Sequence, residues 1–110
     1  MIVDGPTDLD VLTRKAAEVA GLLRLLGNEN RLLLLCHLAS EGELTVGALA
    51  DRLGLSQPAL SQHLSLLRED GLVATRRAAQ AIHDYRVADP RLACLLGLLR
   101  DLYCPDEPSQ

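Results

Sequence analysis

The chain has 110 residues, 48% of them hydrophobic, with no Phe or Trp and two Tyr, so one small domain with a core of Leu, Val and Ala is all it can hold. No apolar run approaches membrane-spanning length and no basic segment precedes an apolar one at the N-terminus; no membrane partner is expected, and the cytoplasm is the expected location. Three cysteines are an odd number for a disulfide scaffold, none stands in a Cys-x-x-Cys pair, and the net charge of −4 argues at first sight against a nucleic-acid binder.

Residues 1–6 and 105–110 read as frayed tails of a single domain spanning 1–110. A long helix is expected to start near Thr7, which with Asp10 forms a capping box. Leu9, Leu12, Ala16, Val19, Leu23 and Leu26 follow at 3-4-3-4-3 spacing, the interval of a helix–helix seam. Gly27 ends this helix and Asn28 caps the next, ENRLLLLCHLAS. That segment is apolar all round from Leu32 to Leu35, so a central, well-buried helix is expected, with Cys36 one turn beyond Leu32 and Leu33.

The middle of the chain repeats one pattern twice. Thr45 is an N-cap, Leu44 and Leu49 stand at staple positions, Leu53 lies one turn beyond Leu49, and Gly54 supplies a left-handed C-cap. Ser56 then caps a second short helix, with Leu55 and Leu60 as its staple and Pro58 in its first turn. Leu60, Leu64 and Leu67 make the buried stripe, and Gly71 stops the helix. The outer face offers Ser56, Gln57, Ala59, Ser61, Gln62 and Ser65, small or amide side chains suited to base edges in a major groove. This is the pattern of a helix-turn-helix. His63 lies beside the leucine stripe, where a packed or capping role is expected of it.

After Gly71 the period changes to that of strands. LVATRR and AIHDYRV read as a hairpin with an Ala-Ala-Gln turn, its tip carrying Arg76, Arg77 and Gln80. A hairpin end is most simply solvated; beside a helix-turn-helix, these residues are candidates for phosphate or minor-groove contacts. The charge pattern supports that. Asp4, Asp8, Asp10, Asp101, Asp106 and Glu107 crowd the two ends, while the stretch from Gly71 to Ile82 holds two arginines and no acid. A last helix is expected from about Asp89, with Pro90 in its first turn, to about Tyr103, striped by Leu92, Leu95, Leu99 and Leu102. The seam residues Leu12, Ala16, Val19 and Leu23 of the first helix and Leu95, Leu99 and Leu102 of the last are therefore candidates for a two-fold interface. A symmetric homodimer would offer two recognition helices to a palindromic operator in double-stranded DNA.

Ser61, His63, Leu64, Leu67, Gly71, Leu72 and Val73 spell S-x-H-L-x-x-L-x-x-x-G-L-V. That signature resembles the ArsR/SmtB family of dimeric winged-helix repressors, over roughly Leu22 to Cys104. The resemblance implies a mostly α winged helix-turn-helix: four helices, a two-stranded β-hairpin wing and a fifth helix, with the fourth helix reading DNA and the first and last forming a symmetric homodimer. AIHDYRV is one residue longer than the family's second wing strand, so a bulge is expected near His83 and Asp84.

The same resemblance narrows what is sensed. Soft-metal sensors of the family carry a Cys-x-Cys element at the third helix, where this chain has LTVGALAD. Zinc sensors carry paired Asp/His and His/Glu ligands on the last helix, but RLACLLGLLRDLYC has no histidine and one acid, Asp101. No metal and no cofactor is implied. Cys36 and Cys104 resemble the two cysteines of the thiol-based, persulfide- and redox-sensing branch, in which reactive sulfur species or related oxidants link two thiols and the repressor leaves its operator. Cys36 alone would read as a small core residue; Cys104, beside Asp101, Tyr103 and a Pro-Asp-Glu tail, is no obvious core residue. Cys94, on the flank of the last stripe, reads as structural, or as the third ligand of a trigonal arsenite or soft-metal site with Cys36 and Cys104. An enzyme is not expected, because no nucleophile–base–orienter set is present. A winged-helix interaction module that no longer binds DNA is the remaining alternative, and the net charge is its support.

Overall fold

The computed structural model describes residues 7–79 and 82–104. In chain order the elements are α1 (Asp8–Leu26), α2 (Glu29–Glu41), β1 (Leu44–Thr45), α3 (Val46–Leu53), α4 (Gln57–Glu69), β2 (Val73–Ala79), β3 (Ile82–Val87) and α5 (Pro90–Tyr103). Caps set the helix boundaries. Thr7 Oγ1 accepts from the Asp10 amide at 2.9 Å and the Asp10 carboxylate accepts from the Thr7 amide at 3.1 Å, the expected capping box. Asn28, Thr45 and Ser56 each accept from the amide three residues on. Gly54 turns the chain between α3 and α4 at φ 69°, a left-handed conformation that costs glycine nothing.

One core joins α2 to α5. Leu34, Leu35 and Leu38 of α2, Leu49 of α3, Leu60, Leu64 and Leu67 of α4 and Leu92 of α5 are fully buried, each contributing about 1.5–3 kcal/mol of hydrophobic stabilisation. The stripe expected on α4 is the buried one. On α2 the expectation needs correction. The helix is central, but Leu33 and Cys36 are exposed, because the core covers one side of α2 and leaves the other open.

The sheet has three antiparallel strands in the order β1-β3-β2. Leu44 is thus a strand residue, paired with Tyr85, and Thr45 pairs with Asp84. A strand of two residues is too short to show alternation, which is why it was not expected. The wing also differs from expectation. The first strand runs through Ala79, so the expected Ala-Ala-Gln turn is displaced; its Gln80 lies outside the described residues. The register passes from Arg77↔His83 to Ala79↔Ile82, so the extra residue sits in the first wing strand, at Ala78, rather than at His83 or Asp84.

The end helices are sparsely covered. Of α1 only Leu26 is buried, while Leu12 and Leu23 are 50% and 52% exposed; Ala16 is exposed and Val19 half-buried. On α5 the stripe is rotated from the expected one: Leu92 and Leu96 face the core, Leu95 and Leu99 are half-buried, and Leu98 and Leu102 stand 52% and 62% exposed. A helix with so little tertiary burial has little reason to hold its shape alone. Arg91 spans the two, reaching Glu18 of α1 at 3.3 Å and its own cap Asp89 at 3.2 Å. No helix among the described residues is long and apolar enough to cross a membrane.

Candidate nucleic-acid interface and thiol groove

Helix α4 presents its polar face outward because its leucines are committed inward. Gln57, Ser61, Gln62 and Ser65 are exposed; Ala59 is half-buried, and Ser56 is exposed while its hydroxyl accepts from the Ala59 amide at 3.2 Å. Gln57 lies beside α3, its Nε2 3.8 Å from where a side chain at Gly47 would begin. The candidate reading residues other than Ala59 are thus exposed, from the N-cap at Ser56 to Ser65 past the middle of α4.

The two wing arginines are not equivalent. Arg77 is exposed, opposite His83. Both sit within β2 rather than at the expected tip, and the Arg76 guanidinium is engaged: Nη2 meets Glu43 at 2.6 Å and Asp84 at 3.4 Å, and Nε donates to Glu43 at 3.2 Å. The hydrogen bond from Arg76 holds the Glu43 carboxyl below its ordinary range and Arg76 above its own. Glu43 was invisible to sequence reasoning because its partner lies 33 residues away.

A second tie crosses between helices. Arg31, in the first turn of α2, donates from Nε to the Leu25 carbonyl in the last turn of α1 at 2.8 Å, and its Nη1 lies 3.5 Å from His63 Nδ1 on α4. Burial first, and the positive charge of Arg31 second, push the His63 imidazole below its ordinary pKa, so it stays neutral and can accept. The packed role expected of His63 agrees with this placement. Elsewhere Glu41 is pinned by Arg52, at 2.6 Å and 2.7 Å, and lies 3.6 Å from His37.

On the side away from α4, α2, β3 and α5 leave a groove of about 950 Å³. Cys36, on α2, and Cys104, just past α5, line this same groove. The Cys104 amide donates to the Arg100 carbonyl at 2.8 Å, which fixes where the chain leaves the helix. Burial, and next the charge of a Cys104 thiolate, raise the pKa of Cys36 above the ordinary thiol value. Cys94 is exposed and does not line the groove. Among the described residues no three of His, Cys, Asp and Glu are grouped to hold a metal ion, so the trigonal site of Cys36, Cys94 and Cys104 is not assembled within one chain.

A recognition helix with a polar outer face, packed on a supporting helix and flanked by an antiparallel hairpin, defines a winged-helix DNA-binding regulator. The chain belongs to the arsR family of bacterial regulatory proteins, whose description matches residues 28–75. It is 44% identical to the transcriptional activator HlyU of Vibrio cholerae serotype O1, over 90% of each chain. It is also 44% identical to the biofilm growth-associated repressor of Agrobacterium fabrum, over 96% of this chain and 88% of that protein. The structure of reduced HlyU from Vibrio cholerae N16961 superposes with a TM-score of 0.78 at 45% identity, covering 84% of this chain and 96% of that one. The protein is therefore a transcriptional regulator and not an enzyme.

Proposed function

We propose that this regulator is a dimeric repressor that responds to reactive sulfur species or related oxidants through Cys36 and Cys104 and then leaves its operator. One observation carries the reading: two thiols from distant parts of the chain line one groove, and the charge of one is felt by the other. The protomers pair through the open apolar faces of α1 and α5, placing two copies of α4 on a palindromic operator in the reducing cytoplasm. Gln57, Ser61, Gln62 and Ser65 face base edges, and Arg77 faces the phosphates.

The chemistry divides the work between the thiols. Cys104, at the exposed end of α5, attacks first, and Cys36 resolves. Its thiolate takes the sulfane sulfur of a hydropersulfide RS–SH, the S–S bond breaks and RS⁻ leaves, giving Cys104–S–SH. Cys36 then attacks the sulfur bonded to Cys104. A Cys36–Cys104 disulfide forms, and HS⁻ departs with the Cys36 proton as hydrogen sulfide. The two thiols lose two electrons and the sulfane sulfur gains them. A longer polysulfide leaves extra sulfurs in the link, which spans a wider gap than the roughly 7 Å between Cα atoms that a direct disulfide tolerates. The link draws α2 toward α5, and with it the reading head toward the dimer helices, so the half-site spacing no longer matches.

The test is a gel shift on the DNA upstream of the protein's own gene, with the protein reduced and then polysulfide-treated. Cys36→Ser and Cys104→Ser should each bind DNA and ignore polysulfide, Cys94→Ser should still respond, and mass spectrometry of the treated wild type should show the Cys36–Cys104 link. Release of Cys104→Ser by polysulfide overturns the two-thiol switch. Failure of reduced wild type to shift the DNA at low salt favours an interaction module instead.

A further inference from the structure

The groove that holds the thiols is larger than thiol chemistry needs. Its volume of about 950 Å³ is close to the upper end of ligand cavities, about 1,000 Å³, whereas a hydropersulfide has only a few atoms. Its walls are largely apolar, with Leu32 on α2, Val87 on β3 and Leu96 and Leu99 on α5. Gly97 also lines it. Glycine is a poor helix former, yet this one stands in the middle of α5, and a side chain there would meet nothing within 4 Å. The missing side chain widens the groove.

The charged groups in the wall are unbalanced. Glu43 is committed to Arg76 at 2.6 Å, and Arg100 reaches Asp101 at 3.6 Å. Arg86, on β3, forms no ion pair among the described residues, although its charge is felt by Glu43, which Arg76 already holds. An apolar trough with an unpaired guanidinium in its wall is complementary to an amphipathic anion.

We propose that this groove binds, without covalent chemistry, a small amphipathic carboxylate, its hydrocarbon body along Leu32, Leu96 and Leu99 and its carboxylate on Arg86. This goes beyond the thiol reading and does not depend on it. Occupancy covers Cys36 and stands between α2 and α5, so such a ligand opposes any closing of the two helices.

Decanoate is the probe, added to the reduced full-length protein in calorimetric titration, with alkylation of each cysteine by N-ethylmaleimide followed by mass spectrometry. Saturable binding of one decanoate per chain is expected, with Cys36 alkylation slowed at least fivefold and Cys94, off the groove, unaffected. Gly97→Leu should fill the trough and abolish binding without lowering the melting temperature. Arg86→Gln should weaken decanoate at least tenfold and leave decanol unchanged. The Cys36→Ser/Cys104→Ser double variant should bind decanoate like wild type, which separates this proposal from the thiol switch. Unsaturable binding, equal slowing of Cys36 and Cys94, or undiminished binding by Gly97→Leu overturns it. So does decanoate that binds only by splitting the dimer, because the groove would then be the seat of a second copy.

Discussion

The two wing arginines should part company when each is removed. Arg77 is free to reach a phosphate, whereas Arg76 is held by Glu43 at 2.6 Å and by Asp84 at 3.4 Å. Each phosphate contact contributes about 0.9 to the slope of log affinity against log salt, so Arg77→Ala, counted in both wings of a dimer, should make the slope shallower by about 1.8. Between 50 and 200 mM salt that slope amounts to about a tenfold difference in how steeply affinity falls. Arg76→Ala should change the slope by less than half as much. Its main loss is an exposed ion pair, so its melting temperature should stay close to that of the wild type. Fluorescence anisotropy with labelled operator across that salt range, together with thermal melts of both variants, reads the two quantities separately. Equal slope changes for the two variants would refute the reasoning, since the Glu43 pair would then open on DNA and leave Arg76 a phosphate ligand like its neighbour.

Gln62→Ala should relax sequence preference at one or two base positions, at a cost of about 1–3 kcal/mol per half-site, read by competition between operator variants; an unchanged preference would mean another face of α4 meets the bases. Leu12→Asp or Leu98→Asp, each on an exposed apolar face, should raise the dimer dissociation constant more than tenfold in sedimentation equilibrium, given about 1.5–3 kcal/mol for each leucine left uncovered. His63 resists protonation when folded and takes a proton readily when unfolded. Its contribution is therefore present above its ordinary pKa and lost as pH falls through that range toward the lowered folded value. The melting temperature of wild type should drop between neutral pH and about pH 5 more than that of His63→Gln, and parallel curves would remove His63 from the account.

Much of the fold was legible because its signals are local. Thr7, Asn28, Thr45 and Ser56 mark helix starts within three residues of the amides they satisfy, and Gly54 marks its turn by a conformation few other residues accept. What could not be read is where leucines face when they are everywhere. In α5, Leu92, Leu95, Leu96, Leu98, Leu99 and Leu102 leave no side polar enough to orient the helix, so Leu96 and Leu98 were missed. The outer face of α2 was hidden for the same reason, and Cys36 with it. The candidate site splits likewise. The α4 face followed from its own periodicity, but the Glu43–Arg76 pair, the Arg31 tie and the space around Gly97 depend on segments that meet only after folding.

The Arg31 tie has a mechanical consequence. It fastens α1 at its last turn to α2 and brings α4 to the same knot, while α1 ahead of Glu18, which Arg91 of α5 holds, is exposed along its whole length. The part of α1 from Asp8 up to Glu18 is about 15 Å of helix, a lever rooted in the protomer at Glu18 and Leu25. Gripped by its far end in a dimer, it would swing the reading head instead of itself. A rotation of about 10° at that root displaces the far end by about 3 Å, comparable to the roughly 3.4 Å rise of one base pair. A partner that grips the exposed end of α1 therefore turns the protomer as a body, and α4, tied to the same knot through His63 and Arg31, turns with it relative to its half-site.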